Sequence, residues 1–310
     1  MCAVFGLIDY GRVFNSKQRE RILRVLSIEC EERGIDATGY AFNENNRLRI
    51  VKKPIPAHKM KLWLKDESNV ILGHTRMATQ GNAANNFNNH PFFGKAGETK
   101  FALAHNGILH NDNFLRKELD IPISRIKTDS YIAVQLLEKY GGLSEKTLAD
   151  MASNISGSFV FTLLDGDNNS YFVRGNNPLA LYKFKAGFYI YASTEQILDE
   201  SLRMLGILNY EHEKIETRIG NIVKINADGC LTRSEFTPFY EDDFNYFYPP
   251  CCCVYETDSA HQLKRFANTL GVYPEDIDLL LNFGYDDDEI AELICDPIAF
   301  QNAMDMIMEF

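Results

Sequence analysis

Met1-Cys2-Ala3-Val4-Phe5-Gly6-Leu7-Ile8 opens the chain, and how this octet is read decides the fold. From Cys2 to Ile8 it is apolar or small throughout, the pattern of a strand buried on both faces. Taken alone, Cys2 reads as a small hydrophobe at the start of that strand. It also has a chemical reading. An initiator methionine before a small residue is commonly trimmed, which would leave a thiol and a free α-amine on the same residue. Such an amine has a reference pKa near ~8, so around neutral pH much of it is unprotonated and able to act as a base. A nucleophile served by its own amine needs no separate histidine.

Downstream, an amphipathic helix is expected over 17–32, KQRERILRVLSIECEE. ATGYAF and LRIVKK read as a strand pair about the turn Asn43-Glu44-Asn45-Asn46. VILGHTR and FALAHNG are short apolar runs ending in polar residues, a shape that presents side chains at a strand terminus. SYIAVQLLEKYG and EKTLADMASNI read as helices, and GSFVFTLLD, SYFVR, ALYKF and FYIYAS as a single ladder of four strands. TEQILDESLRML predicts a helix capped by Thr194, and GNIVKI with CLTRSEF a hairpin. Two groups of strands with helices between them predict a layered α/β or α+β domain over 1–236. FYEDDFNYFYPPCCC, within 237–257, reads as a connector packed on the body. Residues 258–310 read as a small acidic helical region of three or four amphipathic segments.

Composition narrows the class. Of 310 residues, 45% are hydrophobic, ample for a packed core. The opening stretch meets Asp9 and Arg12 too soon for a signal peptide, and no apolar run reaches the ~18 residues of a membrane helix, so a cytoplasmic location is expected. Seven cysteines, an odd number, argue for reduced thiols. The triplet Cys251-Cys252-Cys253 lacks metal-site spacing, so no metal is expected. Charge is unevenly spread: Thr237–Phe310 holds 2 basic against 16 acidic residues, while the rest holds 30 against 27. The tail is therefore expected to repel nucleic acid.

Three further stretches change the weight of Cys2: Arg33-Gly34-Ile35-Asp36-Ala37-Thr38-Gly39, then Gly73-His74-Thr75-Arg76-Met77-Ala78-Thr79-Gln80-Gly81, then His105-Asn106-Gly107-Ile108. With Cys2 they resemble the class II glutamine amidotransferase domain of the N-terminal nucleophile hydrolases. Asn89-His90-Pro91-Phe92 and Thr128-Asp129-Ser130 match two lesser blocks in the expected order. The resemblance spans roughly 1–236 and implies an α+β fold, a four-layer αββα sandwich. It also implies hydrolysis of the glutamine side-chain amide by Cys2 through a thioester, with no cofactor. Asn106 and the backbone N–H of Gly107 are the implied oxyanion donors. Arg76, Thr79 and Asp129 are the implied binders of the amino acid, and Arg33 is implied to support the nucleophile. Asp36 and Gly39 are expected to shape a turn. His74, His90 and His105 are expected to be satisfied structural histidines, of which His74 and His105 support the site, and His110 a loop residue.

Other readings stay open. Arg76 could be a surface ion pair, and Asn106-Gly107 a type I′ hairpin turn. The chain could act on another amide, or be a silent binding subunit. Met77 and Gln80 stand where many relatives have an aromatic and a histidine, which puts loop closure in question. After 236 there is no phosphate loop or Rossmann fingerprint, so the ammonia acceptor is expected on a partner protein docking on the helical tail. That tail faintly resembles a ubiquitin-associated fold, with a Gly-Tyr turn after a helix.

Overall fold

The computed structural model describes residues 2–238, 272, 274–286, 289–290, 293–294 and 297–308. Two compact units divide the chain, Met1–Glu241 and Asp242–Phe310.

In the first unit, strands β1 (Ala3–Ile8), β2 (Ala37–Glu44), β3 (Arg47–Lys53) and β4 (Val70–Arg76) join β9 (Ala180–Phe184), β10 (Phe188–Ala192) and β11 (His212–Lys214) in a seven-stranded sheet. Its order is β11-β9-β10-β1-β4-β2-β3. Strands β5 (Phe92–Ala96), β6 (Thr99–Leu109), β7 (Gly157–Asp165), β8 (Ser170–Arg174), β12 (Asn221–Ile225) and β13 (Leu231–Glu235) form a second sheet, ordered β13-β12-β8-β7-β6-β5. Helices α1 (Ser16–Glu29) and α5 (Glu195–Leu205) cover the first sheet. Helices α2 (Asp112–Glu118), α3 (Tyr131–Tyr140) and α4 (Glu145–Asn154) cover the second.

Side-chain parity builds the layers, because successive strand residues point to opposite faces. Along β1, Ala3, Phe5 and Leu7 pack against Ile22, Leu23 and Leu26 of α1, while Val4 and Ile8 face the other sheet. Along β6, Phe101 and Leu103 face the helices, while Ala102 and Ala104 face β1 and β4 across the inter-sheet core. The central strands of both sheets are thus dry on both faces, giving four layers in the order αββα. Each large side chain buried this way is worth about 1.5–3 kcal/mol.

Local chemistry sets the element ends. Asn15 and Gln18 exchange side-chain to backbone bonds of 2.9 Å each, a capping box for α1. Thr194 caps α5 as expected, its Oγ1 accepting from Ile197 N at 3.2 Å. The β2–β3 turn narrows to Asn45-Asn46, both at positive φ, which suits the twist of a tight hairpin.

The four-strand ladder expected over 157–192 does not form. β7 and β8 pair in the second sheet, whereas β9 and β10 pair in the first. All four strands bury both faces, so their apolar pattern cannot say which sheet they join. The break falls at Gly175-Asn176-Asn177-Pro178, a crossover between sheets. There a Cβ on Gly175 would meet Phe159 O at 2.6 Å.

In the second unit, α6 (Pro274–Phe283) and α7 (Pro297–Met308) share a small core with Ile290 and Ile294. Gly284, at φ +105°, follows α6 directly, and Tyr285 N returns to Leu280 O at 3.2 Å. The segment AHQLKRFANTL, the connector from residue 239 onward and the Cys251-Cys252-Cys253 triplet lie outside the described residues. No described helix is long and apolar enough to cross a membrane.

Candidate active site

The same parity places the site. Val4 and Ile8 of β1, Val70 and Leu72 of β4, and Ala102 and Ala104 of β6 all point into the inter-sheet layer. Continuing each series brings Cys2, Arg76 and Asn106 to that layer. Antiparallel register puts Ala3 opposite Thr75, so Cys2 and Arg76 meet at one end of the β1–β4 pair. Asn106 is tied to this end through Ser193: its Nδ2 lies 3.4 Å from Ser193 Oγ, which accepts from Val4 N at 2.8 Å. Ser193, the last residue of the FYIYAS run and one past the end of β10, was not singled out by sequence reasoning, although the parity of Tyr189 and Tyr191 points it inward.

Cys2 is half-buried, its Sγ 3.4 Å from Met77 O, and Arg33 Nε donates to Cys2 O at 3.0 Å. Gly34 lets this turn lie flat on the neighbouring chain, since a Cβ there would come 2.4 Å from Arg76 C. Asp36 braces the following loop by accepting from Ala78 N at 2.7 Å. Gly39 does not shape a turn. It pairs inside β2, where a Cβ would sit 2.1 Å from His90 O. Burial pushes the Cys2 thiol up; the Met77 contact and Arg76 pull it down and Asp129 adds to the rise. A thiol held protonated needs a base close by.

Arg76 is 3% exposed and no surface ion pair. Its guanidinium donates to Asn89 Oδ1 at 2.8 Å, Gln80 O at 2.5 Å and Gly81 O at 2.8 Å. Burial lowers its pKa, against which Cys2, Asp36 and Asp129 act in that order. The arginine therefore holds the 77–89 loop in the present state. Thr79 is exposed on that loop, lining an open cleft of about 590 Å³ with Asp36, Ala78 and Gly81.

Asn106 and Gly107 are not a hairpin turn. They lie within β6, opposite Val160 and Phe159 of β7. Gly107 has φ +149°, and a Cβ on it would come 1.8 Å from Ser158 O, so only glycine fits. Asn106 O accepts from Asn177 Nδ2 at 2.8 Å, while its Oδ1 is buried without a partner. Asp129 Oδ2 accepts from Leu109 N at 2.7 Å, two residues beyond Gly107.

Behind these groups, His74 and His90 pack at a tilt of 33° with ring centroids 4.2 Å apart, and His90 contacts Phe92 at the same separation. The expectation of satisfied histidines holds only in part. His74 Nε2 meets His105 O at 3.0 Å, but His74 Nδ1 and both nitrogens of His90 are buried without partners. Burial pushes His74 down to about 3 and His90 well below its ordinary value, so both are neutral. Aromatic packing stabilises these rings in place of hydrogen bonds. His110 lies just past β6, outside any helix or strand. Among the described residues no cluster of His, Cys, Asp or Glu is arranged to hold a metal ion.

A family described as the glutamine amidotransferase domain matches residues 57–216, more than half of the chain. The chain belongs to the class II glutamine amidotransferase family. Among curated relatives, the amidotransferase domain is 31% identical over 248 residues to an isomerizing glutamine–fructose-6-phosphate aminotransferase of Staphylococcus aureus. That match covers 76% of this chain and 39% of the relative. The Sulfolobus acidocaldarius enzyme of the same name is 27% identical over 242 residues, covering 73% of this chain and 40% of the relative. The chain thus spans about two fifths of the length of these relatives. In fold, the domain is similar to a glutamine phosphoribosylpyrophosphate amidotransferase from B. subtilis. The TM-score is 0.59 at 19% identity, covering 76% of this chain and 49% of that one.

Proposed function

We propose that this amidotransferase domain hydrolyses the side-chain amide of L-glutamine at Cys2. With Met1 removed, the Cys2 amine takes the thiol proton and the sulfur bonds to the amide carbon. The resulting oxyanion faces the Asn106 amide and the Gly107 N–H. Collapse breaks the C–N bond, the amine hands its proton to departing ammonia, and a thioester remains. Water, deprotonated by the same amine, cleaves the thioester to glutamate and restores the thiol.

Arg76 and Thr79 are assigned to the α-carboxylate and Asp129 to the α-ammonium. Engaging the carboxylate requires the carbonyls of Gln80 and Gly81 to share the guanidinium. Arg33 steadies the nucleophile through its carbonyl, and His74 and His105 support the strands from behind. The ammonia is assigned to an acceptor on a partner protein, with residues 258–310 as the docking region.

The observation that carries this reading is electrostatic. The half-buried Cys2 thiol, whose ionisation burial disfavours, feels the charge of the cation Arg76 and of the anion Asp129, the reverse of the carboxylate and ammonium that a free amino acid presents. Intact mass of the purified protein tests the first requirement, with Met1 expected to be absent. A glutamine-mimicking diazo-ketone should then label Cys2 alone. Labelling elsewhere, or none once Met1 is shown to be gone, removes the mechanism.

A further inference from the structure

Asp129, Ser130 and His105 form a buried chain that is one proton short. His105 Nε2 lies 3.3 Å from Ser158 O, and a carbonyl only accepts, so Nε2 carries hydrogen. His105 Nδ1 lies 2.7 Å from Ser130 Oγ, and that oxygen lies 3.2 Å from Asp129 Oδ1. A hydroxyl has a single proton to give. When the imidazole is neutral, Nδ1 is a bare lone pair, and at 2.7 Å it must receive the Ser130 proton. Asp129 Oδ1 then faces serine lone pairs and stays open as an acceptor. When the imidazole is protonated, Nδ1–H donates to Ser130, whose proton swings to Asp129 Oδ1. With Leu109 N on Oδ2, both carboxylate oxygens are then occupied.

The surroundings bias this choice. His74 faces His105 from β4, and His90 stands 6.5 Å from it by ring centroid. Arg76 and Lys52 act on both of those rings. Phe161 of β7 covers the ring at 4.8 Å. Burial favours the neutral form, while Asp129 and the bond to Ser158 O favour the cation.

We infer that Ser130 and His105 are positioning residues that set how strongly Asp129 holds the α-ammonium of the substrate. A neutral His105 keeps Oδ1 open, and a protonated His105 closes it through Ser130. This rests on the glutamine reading above.

The test is steady-state kinetics of the full chain between about pH 4.5 and 7, where the charged groups of glutamine do not titrate. KM for glutamine should climb toward acid by up to about tenfold per pH unit, the slope of one proton. Binding of glutaramate, the same amide without the α-ammonium, measured as substrate or competitor, should stay level. Ser130→Ala, and Ser130→Gly should the alanine variant fail to fold, should flatten the glutamine limb. Ser130→Thr should restore it. A parent protein without the limb, a limb persisting in the hydroxyl-free variants, or one shared by glutaramate overturns this inference alone. A Met1-free parent that turns over no glutamine at any pH overturns the glutamine reading and this inference with it.

Discussion

The two sheets bring different things to the site. The seven-stranded sheet offers groups at the ends of its central strands: Cys2 just before β1, Arg76 as the last residue of β4, and the loop that Arg76 holds. The six-stranded sheet offers groups from within a strand, Asn106 and Gly107, fully paired with β7 and reached by a backbone only glycine can adopt. The difference teaches where chemistry and folding can be separated. At a strand end, a side chain can be removed while the sheet stays intact. At Gly107, inside β6, the backbone geometry is the sheet itself.

Cys2→Ala sharpens the contrast most. Turnover should fall below detection while the thermal midpoint moves by no more than about 2–4 °C, since a half-buried sulfur is lost and no ladder bond is touched. Gly107→Ala should do the opposite in kind. The new Cβ strikes Ser158 O, so a loss of about 3 kcal/mol or more is expected, together with the activity. An alanine variant of normal midpoint would break the comparison.

Asn106→Ala leaves the strand paired and removes one of the two proposed oxyanion donors. A drop in kcat of about 10²–10³-fold with little change in KM is expected. Ser193→Ala, which frees the Asn106 amide to turn, should lower kcat by a smaller factor in the same direction. Equal effects from the two would mean that Ser193 does more than orient the amide.

The smallest effect is expected from His90→Phe, which replaces a ring whose nitrogens have no partners. Stability at neutral pH should change by less than about 1.5 kcal/mol. The sign with pH follows from burial. His74 and His90 have folded pKa values below the unfolded value of about 6.5, so the unfolded chain binds protons that the fold refuses. Stability is complete above that pH and is lost as pH falls toward the folded values. Denaturant melts at about pH 5 should therefore favour the phenylalanine variant over the parent.

Much of this was legible in the chain because parity survives folding. The octet at the start reads as a strand dry on both faces, and β1 is one. The runs ending at Arg76 and at Gly107 read as strand termini or turns. Arg76 does end β4, but β6 runs on past Asn106-Gly107 to Leu109, because β7 continues beside it. The short strand β5 and the seven-residue helix α2 escaped notice, since one alternates over only five residues and the other sits in a polar stretch. Ser130 and Ser193 were invisible in their roles. A serine acquires such a role only from what the fold sets beside it, here a ring nitrogen and an amide from distant strands.

The position of β1 in its sheet has a consequence for synthesis. Strand β1 is flanked by β4 and β10, so its second neighbour is complete only when Ala192 has been synthesised. At about 5–20 residues per second, that leaves the leading segment without its full set of partners for tens of seconds. Under the proposed function, this is the interval in which removal of Met1 would meet a strand not yet enclosed by its neighbours.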